Sequence, residues 1–96
     1  ALALAEKANQ LAPNQPALMD TLAYVLALEK QPQRAVELQK KAMAQAPQNN
    51  GLRLTLAKIY LENGDKANAR AELDTLAKLG DKFGAQTEVT RLLATL

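Results

Sequence analysis

The sequence predicts an all-α fold in which antiparallel helix hairpins stack in a row, about six helices in all, the last of them a cap. Three observations carry that expectation. The chain is 48% apolar and that fraction is mainly Ala and Leu, with one Phe, two Tyr and no Trp, so the residues that lose least freedom in a helix are abundant and those that favour strands are scarce. The chain resembles itself at a fixed offset of 34 residues, a length that suits a two-helix unit. Helix stop and start signals then divide each period in two.

The self-similarity is specific. At the shift of 34, Pro13 falls on Pro47, Leu18 on Leu52, Leu22 on Leu56, Ala23 on Ala57 and Leu26 on Tyr60. Ala1, Ala35 and Ala69 form a further series, as do Ala8, Ala42 and Leu76, and Ala12, Ala46 and Gly80. Small residues recur where two helices must approach closely, and Leu18, Leu22, Val25 and Leu26 share a helical face that Leu52, Leu56, Ile59 and Tyr60 repeat.

Taken in order, the first helix covers residues 1–12 and ends at Pro13. It opens with Leu2, Leu4 and Leu11 and has no partner helix of its own, so the array is expected to continue upstream of Ala1 and the chain to be part of a larger multi-repeat protein. The second helix spans 16–29. The third spans 33–46, with Pro32 in its first turn, where a missing N–H is harmless, and Pro47 as its stop. The fourth spans 49–62 and ends at Asn63-Gly64-Asp65, a left-handed cap followed by an acid fit to cap the fifth helix, 66–79. The last runs near 83–95, with Val89, Leu92, Leu93 and Leu96 as one apolar stripe that closes the end of the stack. The units are therefore 1–15, the second helix of a truncated repeat; 16–49 and 50–82, two repeats; and 83–96, the cap.

Composition removes several function classes. Without His or Cys the chain lacks the commonest general base, the commonest metal ligand and all thiolate chemistry, so no catalytic residue, metal site or cofactor is assigned. Glu72 and Asp74 are two apart on one helix and point to different sides, and Gly80 and Gly84 are followed by no phosphate-loop lysine. Twelve cations against ten anions give a charge of +2 with only Lys40 and Lys41 adjacent among the cations, a solvated pair rather than a nucleic-acid surface. The longest apolar run, Leu22 to Leu28, is seven residues, short of the roughly 20 that span a bilayer.

These residues resemble the tetratricopeptide repeat. The second half reads Leu56, Ala57, Tyr60, Gly64, Ala69, Leu73, Leu76 in the family's pattern, and the first half reads Leu22, Ala23, Leu26, Ala35, Gln39, Ala42, Pro47. The resemblance implies a right-handed superhelix of stacked hairpins and a protein-interaction scaffold. There are departures: the family's Trp position holds Met19 and Arg53, and its second-helix aromatic position holds Ala5, Gln39 and Leu73. Gln39 is expected to reach the margin of the core, since a buried amide without partners costs about 1–3 kcal/mol. The ending from Leu76 through Leu79-Gly80-Asp81-Lys82-Phe83 to Leu92-Leu93 is also similar to that of tetratricopeptide lipoproteins of Gram-negative PEP-CTERM exosortase systems, which implies a bacterial cell-envelope or periplasmic location.

In the family, the first helix of each hairpin lines the concave surface. Carried over by the 34-residue register, the contact positions are Ala17, Asp20, Tyr24, Ala27 and Leu28, then Gly51, Leu54, Lys58, Leu61 and Glu62, and on the end helix, after a shift of one residue, Thr87, Arg91 and Ala94. The expected partner-binding groove is Asp20, Tyr24, Leu28, Leu54, Lys58, Leu61, Glu62 and Arg91, with Tyr24, Lys58 and Arg91 as one row across it. The Lys and Asn with which chaperone-binding members hold a C-terminal carboxylate are absent: Asp20 and Tyr24 stand there in one repeat, Leu54 and Lys58 in the next. An amphipathic helix or an extended acidic or C-terminal segment of a partner suits the groove. No nucleic acid is expected, because Asp20 over Leu54 and Tyr24 over Lys58 form no base-reading code. The competing expectation is a structural spacer or self-assembly module without a separate ligand, with weak self-association through the first helix.

Overall fold

The computed structural model describes residues 2–96, in which six α-helices follow one another with no strand between them. They are α1 (Leu2–Leu11), α2 (Pro16–Leu28), α3 (Pro32–Gln45), α4 (Asn50–Glu62), α5 (Lys66–Ala77) and α6 (Gln86–Ala94), with a single 3₁₀ turn at Gly80–Lys82. The expected helix from residue 1 therefore starts at its second residue as far as the structure describes it, and Ala1 lies outside. The α2/α3 and α4/α5 pairs are the two hairpins; α1 packs on α2, α3 on α4, α2 on α4, and α6 on α5. The described residues measure 36 × 26 × 18 Å.

Local chemistry explains the boundaries. Pro16 and Pro32 open α2 and α3, where the missing N–H falls among donors that a helix leaves unpaired anyway. Asn49 caps α4 by accepting from the Gly51 N–H at 3.1 Å, and Asp65 caps α5 by accepting from the Asn68 N–H at 3.2 Å. Both hairpin turns end the first helix the same way. The Gln31 N–H donates to the Leu26 carbonyl and the Asp65 N–H to the Tyr60 carbonyl, each at 2.9 Å, across a residue of positive φ: Lys30 at 63° and Gly64 at 75°. The left-handed position expected at Gly64 thus recurs one period earlier, on a lysine.

The core runs as a strip through the stack. Met19, Leu26, Leu56, Ile59, Leu73 and Leu76 are buried, and the recurring small residues Ala23, Ala57, Ala35, Ala69 and Ala42 lie fully buried where helices meet. At the end of the stack the α6 stripe does what its period implies: Val89 is buried, and Leu92, Leu93 and Leu96 pack partly buried beside Leu54, Leu73 and Leu76.

Three expectations need correction, and one departure from the family pattern finds its explanation. Gln39 is not at a margin but fully buried, because its amide finds two acceptors inside: Nε2 donates to Asp20 Oδ1 and to the Leu52 carbonyl, each at 2.7 Å, while Oε1 is left without a partner. The last helix begins at Gln86, three residues after the expected Phe83, because Phe83 is extended (φ −126°, ψ 120°) and packs its ring against the end of the core. Gln86 then bridges back, its Nε2 donating to the Leu76 carbonyl at 2.7 Å and the Gly80 carbonyl at 3.1 Å, which satisfies the end of α5. Leu2 packs against the cluster of Leu22, Ala23 and Leu26, whereas Leu4 and Leu11 are 76% and 79% exposed, so only those two face outward as expected of all three. Arg53, in the position where the family carries Trp, is held by an ion pair to Glu72 at 2.5 Å that ties α4 to α5 in place of ring packing.

Candidate functional site

The helices α2, α4 and α6 are the first helices of successive units and lie on one side of the stack, with α1, α3 and α5 on the other. Residues one period apart therefore come side by side. Two adjoining hollows form along that side. One, of about 260 Å³, is lined by Tyr24 from α2, Lys58, Leu61 and Glu62 from α4, and Glu88, Arg91 and Leu92 from α6. The other, of about 230 Å³, is lined by Asp20, Thr21, Tyr24, Val25, Thr55 and Lys58. Both share Tyr24 and Lys58, so they adjoin at those two side chains and together make a trough with Tyr24 and Lys58 at its waist.

Of the eight groove residues expected from sequence, six line this trough: Asp20, Tyr24, Lys58, Leu61, Glu62 and Arg91. The row Tyr24, Lys58, Arg91 meets around one hollow. Leu28 ends α2 half exposed and borders neither hollow. Leu54 leaves the groove: it is buried in the core with Ala57, Leu73, Leu76 and Val89, because α6 covers the face of α4 on which it stands. Ala27 is likewise buried, against Ala35 of its own hairpin.

The electrostatics differ from the expected pair of open cations. The Glu88 carboxylate takes both of them, with Oε2 at 2.8 Å from Lys58 Nζ and 3.4 Å from Arg91 Nη2. Glu88 and Lys58 are each about one third exposed and Arg91 about two thirds, so this cluster is open to solvent rather than entombed. One turn along α4 from Lys58, Glu62 lines the same hollow and makes no ion pair among the described residues. At the other end of the trough, Asp20 gives Oδ1 to the buried Gln39 amide, which fixes its rotamer and anchors that end to α3. Glu88, Leu92, Thr21, Val25 and Thr55 are the lining residues that sequence reasoning missed. For Glu88 a signal existed, its spacing of three before Arg91 on a helix, but its reach to Lys58 depends on where α6 begins.

The outer side has its own hollows. One, of about 290 Å³, lies between α1 and α3 over Leu22 and Leu26, walled by Arg34, Glu37 and Lys41, with the Asn9 Oδ1 atom buried and unpaired nearby. It is confined to one helix junction, whereas the trough aligns side chains from three successive units. Among the described residues no group of three or more His, Cys, Asp or Glu gathers that could hold a metal ion, and no helix is long and apolar enough to cross a membrane.

A family profile for the tetratricopeptide repeat matches residues 26–96, which is 71 of the 96 residues and takes in the trough residues of α4 and α6 but not those of α2. Comparison with curated proteins and with solved structures gave no match.

Proposed function

The chain belongs to the tetratricopeptide repeat family, and from that membership we propose that the trough along α2, α4 and α6 holds a segment of a partner polypeptide. The observation that carries this reading is the convergence of Tyr24, Lys58 and Arg91, from three different helices, on one hollow. Tyr24, Val25, Leu61 and Leu92 supply apolar contact, and the flanking charges set register. The hollows are shallow troughs rather than closed cavities, which suits a helix or an extended chain better than a small metabolite. This reading gives the chain no catalytic step.

The second reading, a self-assembly module, is favoured by one observation. Leu4 and Leu11 stand seven residues apart on the same face of α1 and are more than three quarters exposed. A bacterial-envelope location rests on the likeness of the segment from Leu76 to Leu93 alone; fractionation of the parent protein in its own cell tests it.

The experiment that tests the trough is selection of random dodecapeptides displayed on phage against the immobilised chain, followed by amide chemical-shift mapping of the bound peptides. Shifts clustered on α2, α4 and α6 support the proposal. Shifts confined to α1, α3 and α5 would move the site to the outer face.

A further inference from the structure

We infer that Lys58 and Arg91 form a carboxylate-binding subsite of the trough, that Glu88 fills it from within the chain, and that the partner segment carries an Asp or Glu side chain which takes Glu88's place. The inference rests on the trough reading and names the chemistry of its occupant.

The two cations already hold a carboxylate from within the chain. A single oxygen of Glu88 lies within ion-pair distance of a lysine on α4 and an arginine on α6, in a hollow that also exposes Tyr24 and Leu61. The pairing is not required for burial. About a third of the Glu88 side chain reaches solvent, so the carboxylate can rotate into water without stranding a charge in the core. Α partner carboxylate entering from above would replace one anion by another, and both cations would remain paired throughout.

The exchange is therefore close to balanced, and Glu88 acts as an internal competitor that lowers affinity. Lys58 and Arg91 bear two positive charges, and Glu62 and Glu88 two negative, in the same hollow. A bound acid makes the local sum negative. Neutralising Glu88 removes the competitor and leaves a net positive charge waiting for the partner's acid. The gain should equal the worth of a part-exposed ion pair: about two- to fivefold in affinity, which is about 0.4–1 kcal/mol at 1.4 kcal/mol per tenfold. The α6 helix does not depend on the pair, since Val89 is buried against Leu54, Leu73 and Leu76 and Gln86 is anchored to the Leu76 carbonyl.

The test uses the same displayed random dodecapeptides, selected in parallel on the parent chain, on Glu88→Gln, and on Lys58→Gln with Arg91→Gln, with helicity and melting checked for each. The expected result is an Asp or Glu enriched at one peptide position in the first two selections and lost in the third. A synthetic peptide carrying that acid should bind Glu88→Gln two- to fivefold tighter than the parent, and less so as salt rises. Peptides that map to the trough but show no acid preference, or bind Glu88→Gln no better than the parent, would overturn the inference and leave the trough standing. Peptides that map only outside the trough would overturn both.

Discussion

Gln39 Nε2 donates to Asp20 Oδ1 at 2.7 Å, tying the interior of α3 to a wall of the trough on α2. The same nitrogen donates to the Leu52 carbonyl at 2.7 Å, so one side chain links three helices. The position one period later holds Leu73, also fully buried. The site is therefore one that an apolar side chain of similar volume can fill, and the amide's remaining oxygen is a liability there.

Asp20→Ala is expected to destabilise the chain by about 1–3 kcal/mol, because it leaves a buried amide short of an acceptor. Gln39→Leu, by contrast, should leave stability unchanged or raise it by up to about 1 kcal/mol, since Asp20 can turn to solvent and the orphan Oε1 is gone. Urea unfolding of the two single variants and the pair measures both. A loss above about 2 kcal/mol for Gln39→Leu would mean that the polar link outweighs its unpaired oxygen.

Lys30 and Gly64 occupy the same left-handed position of successive hairpins, but only one of them is glycine. A side chain in that conformation costs roughly 1–2 kcal/mol, partly offset by the chain freedom that glycine loses on folding. Lys30→Gly should stabilise by about 0.5–1 kcal/mol, a rise of several degrees in melting temperature for a chain of this size. Gly64→Ala should lower stability by a similar amount. No change in either would show that the turn relaxes without cost.

Much of this architecture was legible in the residues. Pro13, Pro32, Pro47 and Gly64 act locally, so their meaning survives without a structure, and the 34-residue register, with a shift of one residue at the last helix, was enough to bring Tyr24, Lys58 and Arg91 together. What escaped depends on relations between elements. The start of α6 is set by the packing of Phe83 and by Gln86 reaching back to the Leu76 carbonyl. That start decides that Glu88 faces Lys58 and that α6 covers Leu54. Gln39 was misplaced for a similar reason: its acceptors come from α2 and α4, both distant in sequence.

Leu4 and Leu11 predict weak, concentration-dependent self-association, because they give α1 an apolar face that nothing among the described residues covers. Sedimentation velocity from micromolar to millimolar concentration should show it, and Leu4→Glu with Leu11→Lys should abolish it. A strict monomer over that range would remove this surface from consideration.

Reversing charge at the trough's cations is not structurally silent, as it would be for exposed, unpartnered side chains. Lys58→Glu with Arg91→Glu sets two new carboxylates around Glu88 and Glu62 and should cost roughly 1 kcal/mol, whereas Lys58→Gln with Arg91→Gln should stay within about 0.5–1 kcal/mol of the parent. Thermal melts at low and high salt distinguish them: added salt should recover part of the loss for the reversed pair. Equal melting of both variants would show that Glu88 leaves the cluster freely.

The central claim is that a partner segment lies in the trough over Tyr24. Calorimetric titration of a trough-selected dodecapeptide into the parent chain, into Tyr24→Ser and into Lys40→Ser with Lys41→Ser tests it most directly. Tyr24 sits at the waist where the two hollows meet, while Lys40 and Lys41 are exposed on α3. The account predicts at least about a tenfold loss of affinity for Tyr24→Ser, as expected for a central aromatic anchor, and no change for the lysine pair. Undiminished binding to Tyr24→Ser together with a loss at Lys40 and Lys41 would contradict it.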